Sequence, residues 1–425
     1  MPRAEMRRGW LLRAYLLASH GFSLIAPRLL RKRLARGKED PARWREKLGQ
    51  GLAPHPGHPL IWLHAVGLGE VLSLRGLIAR LAEKHETARF LVTSTTAASA
   101  QVFARNLPPC TIHQFLPIDA TGYRRRFLDQ FRPDLAVWAE QDIWPGFVSD
   151  LAARGVPQAI VAARMNEASF RSHRRAASLY RDVYRAMDMI TAQDASTAAH
   201  LTALASPATV PVTGSLKPAA PPLGCDAGEL AALTSALAGR TVWAVAPSHP
   251  ADEAIAITAH ESLCKSDPGA LLIIAPRFPD RRDDIAKGCD LAVTFRSDGG
   301  LPAQGDAIWV CDTFGDLGLV YRLCKLVLIG GTFSGIEGHN PWEAAILDVA
   351  IAHGPRVANF ADDFAALDEA EAAAEISDAD DLLTLLQSDR IEEMTQNART
   401  VIAQASSRTD QLADDLLQLL ENGDG

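Results

Sequence analysis

LIWLHAVGLGE, residues 60–70, is an apolar run of strand length that gives way at once to two glycines and a carboxylate. A short apolar run, a Gly-bearing turn and then helical spacing is how a parallel βαβ unit begins. The pattern recurs outward from this stretch. RFLVTS (89–94), IHQFL (112–116), LAVWAE (135–140), QAIVAA (158–163) and MITAQ (189–193) read as further strands, with helical stretches at 70–85, 120–131 and 174–187. A second series follows: TVWAVAP (241–247), ALLIIAP (270–276), AIWVCD (307–312), LVLIGG (326–331) and VAIAHG (349–354). SLKPAAPPLG (215–224) separates the two series and has the Pro-rich composition of a semi-rigid connector. The expected fold is therefore α/β, with two Rossmann-like doubly wound domains facing a central cleft. The expected boundaries are an N-terminal segment at 1–50, a first domain at 51–214, a linker at 215–225, and a second domain with the C-terminal helices at 226–425.

Composition is that of a globular protein: 425 residues, 48% hydrophobic and 22% charged. The net charge of −8 argues against nucleic acid, yet it is unevenly spread. Arg3, Arg7, Arg8, Arg13, Arg28, Arg31, Lys32, Arg33, Arg36, Lys38, Arg43, Arg45 and Lys47 face only Glu5, Glu39, Asp40 and Glu46 in the first fifty residues. Such a basic end suits an anionic membrane surface. WLLRAYLLASHGFSLIAPRLL (10–30) is a poor membrane span, because Arg13 at membrane depth costs about 2.5 kcal/mol or more. An amphipathic, membrane-associated helix lying in the headgroup region fits better, a single N-terminal anchor being the alternative, and either way the basic flank holds the body of the protein on the cytoplasmic face. The cysteines at 110, 225, 264, 289, 311 and 324 form no CxxC pair and read as free thiols of a reducing compartment.

Ligands of doubly wound sheets bind at the carboxyl ends of the strands, so chemistry is sought there. After the first strand, Gly67 and Gly69 are expected to permit a tight turn and close ligand approach. Glu70 then falls at a helix start, either as a cap or as a general base. In AEQDIWP (139–145), Asp142 reads as an N-cap, while Glu140 follows a buried strand and needs a partner or a function. In GGTFSGIEGHNPWEAA (330–345), glycines 330, 331, 335 and 338 precede a helix expected near Pro341. Their backbone N–H groups and the helix dipole are expected to face a phosphate. Asn340 could cap that helix, with Glu343 reaching back to it or taking a ribose hydroxyl. Ser248 and His249, Arg277, and Thr313 with Gly315 end the other strands of the second series. No P-loop and no metal-ligand spacing is present, so no metal or other cofactor is expected.

The ordered set of motifs resembles the bacterial 3-deoxy-D-manno-octulosonic acid (Kdo) transferase family. The resemblance rests on RWREKLG (43–49), IWLHAVGLGE (61–70), FLPIDATGYRRRFLDQFRPDLAVWAEQDIWP (115–145), AARMNEASF (162–170) and VTGSLK (212–217). It continues through APSHPADE (246–253), IIAPRFPDR (273–281), CDTFGDL (311–317), GGTFSGIEGHNPWEAA and GPRVANF (354–360). It implies a GT-B fold and an inverting glycosyltransferase that moves Kdo from CMP-Kdo to a lipid A precursor in lipopolysaccharide biosynthesis, at the cytoplasmic face of the inner membrane. It also implies Glu70 as catalytic base, with Glu140 beside it, and Gly67, Gly69 and Arg164 on the acceptor side. Donor contacts would come from Ser248, His249, Pro276, Arg277, Thr313, Gly315, Gly338, His339, Asn340 and Glu343. The chain departs from the family pattern at Gln141-Asp142, at Phe278 and at Glu337, which sets a negative charge beside the expected phosphate site. Two other readings share the fold: a transferase for another nucleotide sugar, and a non-catalytic lipid-binding relative.

Overall fold

Strands apolar on both faces belong to parallel sheets covered by helices on each side. The computed structural model, which describes residues 8–205, 210–299 and 301–423, has two such sheets. The first contains β1 (Leu60–His64), β2 (Arg89–Ser94), β3 (Thr111–Phe115), β4 (Leu135–Ala139), β5 (Gln158–Ala163) and β6 (Met189–Ala192). Its order is β3-β2-β1-β4-β5-β6, all parallel. The second contains β7 (Val242–Ser248), β8 (Leu271–Pro276), β9 (Val293–Phe295), β10 (Ile308–Val310), β11 (Leu326–Ile329), β12 (Ala350–His353) and β13 (Ala373–Glu375). Its order is β13-β12-β11-β7-β8-β10-β9, again parallel. Alternate residues feed opposite cores: Ile61 and Leu63 lie with Val92 and Val137, whereas Leu60 and Trp62 lie with Leu91 and Trp138. The two doubly wound sheets match the expected fold class.

The chain divides into two units, one reaching to Ala220 and resuming at Ala405, the other Pro221–Gln404. This corrects the expected boundary in two places. The expected range 226–425 puts the helix Arg390–Gly423 whole in the second domain, but Leu412, Ala413, Leu416 and Leu420 lie in the first unit's core with Leu74 and Ile78. The linker's first half also belongs there. A Cβ on Gly76, in the helix Leu68–Lys84, would sit 2.1 Å from the Ala219 carbonyl oxygen, so only glycine permits that packing.

The N-terminal segment is likewise part of the first unit. Arg3 and Arg7 lie outside the described residues; from Trp10 the chain forms the helices Trp10–Phe22 and Ala26–Leu34. Buried Arg124 pairs with Asp119 at 3.1 Å and Asp150 at 2.9 Å, and Asp119 accepts the Tyr15 hydroxyl at 2.6 Å and the Gly146 N–H at 2.9 Å. Hydrogen bonds to charged groups contribute about 1.5–3 kcal/mol each, so this knot fixes the first helix in place. Its other face leaves Trp10 and Leu17 exposed, followed by Leu24, Ile25 and Leu29. Among the described residues no helix is long and apolar enough to cross a membrane.

Candidate functional site

In the first unit, β1 delivers His64 and then the helix Leu68–Lys84. Glu70 occupies the third helical position, and its Oε2 accepts the Val66 and Gly67 N–H groups at 3.0 and 3.2 Å. Gly67 has no side chain, so this carboxylate alone closes that end of the helix. It remains half-buried, with room for a second partner. The tight-turn reading of the glycines fails: Gly67 has φ −78° and Gly69 is helical, so neither adopts a conformation that demands glycine. A Cβ on Gly69 would meet open space, which leaves the backbone bare in front of Glu70.

Asp142 is not a cap. Its Oδ2 lies 3.3 Å from His64 Nε2 and accepts the Trp144 indole N–H at 2.9 Å. His64 is fully buried, with Nδ1 2.8 Å from the Thr93 hydroxyl. Sequence reasoning missed this histidine, although it opens the HAVGLGE motif. Glu140, buried at the end of β4, has φ +60°. A left-handed conformation in a non-glycine residue costs about 1–2 kcal/mol, and such strain persists where the surroundings impose it, often at functional sites. Its carbonyl accepts the Arg164 N–H at 3.3 Å. Glu140 and Arg164 line a cavity of about 50 Å³ with Ser169, His173 and Tyr184.

In the second unit part of the Gly-rich loop turns its amides inward. Asp252, at the third position of the helix Pro250–Ser266, turns into the loop. Its Oδ2 accepts Gly331 N–H at 2.7 Å and His249 N–H at 3.0 Å, and its Oδ1 accepts Phe333 N–H at 3.2 Å. Gly338 N–H donates to the Gly331 carbonyl at 3.0 Å. Two of the loop's amides, Gly331 and Phe333, are thus filled by the protein's own carboxylate, and a third, Gly338, by the loop's own backbone. The helix expected to add its dipole spans only Trp342–Ala345, too short to add much. Gly330 is required for close approach, since a Cβ there would lie 1.8 Å from the Pro247 carbonyl oxygen.

Other residues of this rim are brought together. Register pairs Ser248 with Pro276 across β7 and β8. Ser248 donates to Glu253 at 2.8 Å, and Arg281 grips the same carboxylate at 2.7 and 2.9 Å. Ser248 is buried, so it supports the rim from beneath. Arg277 is exposed, its guanidinium 5.7 Å from the Phe278 ring centroid. His249 Nε2 lies 2.9 Å from His339 Nε2. Asn340 Oδ1 accepts Trp342 N–H at 3.1 Å and its side chain bonds Glu343, whose carboxyl is pushed up by burial. Asn340 thus closes one N–H at the start of the short helix, and Glu343 meets its side chain. Thr313 stands in another network, its hydroxyl bonding Asp316, which Arg296 holds at 2.9 Å, while Gly315 turns the chain beside it at φ +98°. Glu337 has φ +63°, and its carboxylate pairs with Arg356, so the extra charge is neutralised locally.

Residues 42–220 match the family model of 3-deoxy-D-manno-octulosonic-acid transferase (kdotransferase). The 3-deoxy-D-manno-octulosonic acid transferase of Rickettsia bellii (strain RML369-C) is 31% identical over 385 residues, covering 90% of each chain. The protein of the same name from Haemophilus influenzae is 25% identical over 354 residues, 80% of this chain and 82% of that one. The crystal structure of UDP-GlcNAc 2-epimerase from Neisseria meningitidis superposes with TM-score 0.55 at 13% identity, over 84% of this chain and 99% of that one. A spinosyn rhamnosyltransferase superposes with TM-score 0.50 at 16% identity, over 86% and 100%. Two Rossmann-like sheets with carboxylates and basic groups at their strand ends, together with these likenesses, define a glycosyltransferase of the GT-B type. Sequence identity across nine-tenths of the chain is more specific than the fold: the chain belongs to the Kdo transferase family.

Proposed function

We propose that the chain transfers Kdo from CMP-Kdo to a hydroxyl of a lipid A precursor, with inversion at the anomeric carbon, at an anionic membrane surface on the cytoplasmic face of the inner membrane. The observation that carries this reading is Glu70: a half-buried carboxylate at the carboxyl end of β1, with bare glycine backbone in front of it, in a chain of this family. Glu70 takes the acceptor hydroxyl's proton as the oxygen attacks. The backbone N–H groups it caps hold it in one orientation. Glu140 and Arg164 support the acceptor side, and Arg277 meets the nucleotide phosphate as an exposed cation. No metal enters the proposal. The exposed Trp10, Leu17, Leu24, Ile25 and Leu29, among the basic residues of the first two helices, support membrane association.

The test is mass spectrometry of the product formed from CMP-Kdo and a lipid A precursor, with wild type and Glu70→Gln. Wild type is expected to add Kdo, and the variant to lose turnover by about 10²–10⁴-fold with CMP binding unchanged. Normal turnover in the variant sinks the role of Glu70. Thermal stabilisation by UDP but not CMP sinks the donor.

A further inference from the structure

The two histidines of the second unit's rim form a pair with a definite proton requirement. His249 precedes the helix Pro250–Ser266, and His339 belongs to the GHNP loop. Their Nε2 atoms are 2.9 Å apart and their ring planes differ by 7°. Two imidazole nitrogens attract at that distance only when one carries a hydrogen and the other offers its lone pair. The contact therefore holds one hydrogen between two rings, and the pair exists as neutral or singly charged, never doubly charged.

Its surroundings decide which. Burial holds both rings below the ordinary histidine value, His339 down to about 4, and Arg277 pushes both further in that direction. Arg281 acts likewise on His249, while Asp252 and Glu253 act against it. Those two carboxylates are already engaged, Asp252 by three backbone N–H groups and Glu253 by Arg281 and Ser248. With no nucleotide bound, the pair is neutral at pH 7, beside a guanidinium. The edge of Phe278 closes it on one side, with ring centroids of Phe278 and His249 6.2 Å apart.

We infer that His249 and His339 act as one proton site, which takes up a single proton from solvent when a nucleotide monophosphate dianion sits against Arg277. This rests on the donor reading above. In the transfer, the bond between the anomeric carbon and the phosphate oxygen breaks and its electron pair stays on that oxygen. The acceptor oxygen bonds the carbon, and its proton goes to Glu70. The phosphodiester monoanion thereby becomes a monoester approaching two negative charges, since the second ionisation of such a group lies near pH 6. That added charge favours the protonated pair, which then faces the leaving group as a cation with a hydrogen still shared between the rings.

The experiment is titration calorimetry of CMP into the full-length protein at pH 7.5, in buffers of different ionisation enthalpy. The expected result is uptake of about 0.5–1 proton per CMP bound, the range for a single coupled site. In His249→Gln and His339→Asn, uptake falls to near zero, with affinity weakened about tenfold. Wild-type enthalpies identical in all buffers, or full uptake retained in both variants, overturn the pair. A second measurement needs no variant: wild-type affinity for CMP should fall as pH rises from 7 to 9, and a flat profile also overturns it. Absence of CMP binding to wild type instead overturns the donor reading, and the pair falls with it.

Discussion

β1 and β7 are central strands of their sheets, and each runs into a helix whose third residue is a carboxylate that bonds back to the backbone before it. Glu70 accepts two N–H groups from its own turn and stays half-buried. Asp252 accepts three, two of them from a loop eighty residues away, and is completely buried. Burial pushes the Asp252 carboxyl up while its amide partners pull it back. One capping geometry therefore supplies a group free to meet a ligand in one sheet and a lock in the other. Accessibility, rather than residue type or helix position, separates them.

The largest expected effect breaks this comparison directly. Asp252→Ala strands two buried N–H groups and a partly buried one at about 1–3 kcal/mol each, so the second unit should lose about 3 kcal/mol or more of stability. Glu70→Ala removes a half-exposed cap whose N–H groups water can satisfy, a loss of about 1 kcal/mol. Turnover should reverse the order per unit of stability lost, with Glu70→Ala folded yet slower by about 10²–10⁴-fold. Urea denaturation and product assays on both variants check this. Equal stability losses would mean that the two carboxylates do the same work.

Acid should produce the next largest effect, on both units. In the second, His260 accepts the Trp243 indole N–H on Nδ1 at 3.1 Å and has its Nε2 2.8 Å from the Ala307 carbonyl, so no lone pair remains for a proton. Burial holds it down to about 4, and His113 in the first unit down to about 3. The unfolded chain binds a proton near pH 6.5, so between these values it binds more protons than the folded chain. The stability they contribute is complete above about pH 6.5 and is lost as pH falls toward 4. At pH 5, His260 alone should account for about 2 kcal/mol of the loss. His260→Gln should lessen the pH dependence of the second unit's unfolding, with the share of His249 and His339 remaining, and leave that of the first unit.

Much of the fold was legible because parallel strands are continuous apolar runs: all eleven expected strands form, within a few residues at their ends. β9 and β13 were missed because three-residue edge strands such as VTF and AAE carry no periodicity. The site was legible where contacts are local, as at the Glu70 turn and in the contact of Asn340 with Glu343. It was illegible where the partner is distant. Nothing in GGTFSG reveals that Asp252 fills its amides, and nothing in Asp142 points to His64. The division of the C-terminal helix between units was hidden for the same reason, because a helical repeat says which face is apolar but not what covers it.

Glu337 offers the smallest effect and the finest test of which charges the second unit's rim exposes. The sequence sets this carboxylate beside a loop expected to hold phosphate, where repulsion would weaken donor binding. In the fold it pairs with Arg356, and the Arg356 Nε–H donates to the Ser334 carbonyl at 3.0 Å, so the guanidinium is anchored to the same loop. Glu337→Gly would relieve a left-handed φ, a gain of about 1 kcal/mol, and lose a partly exposed ion pair contributing about 0–1 kcal/mol. The two nearly cancel, so the unfolding midpoint should hardly move. CMP affinity should change less than twofold, because removing a neutralised carboxylate frees Arg356 at the loop's outer side without altering Arg277 or the histidine pair. Tighter binding by tenfold would show that the phosphate lies close enough to this loop to feel the freed Arg356.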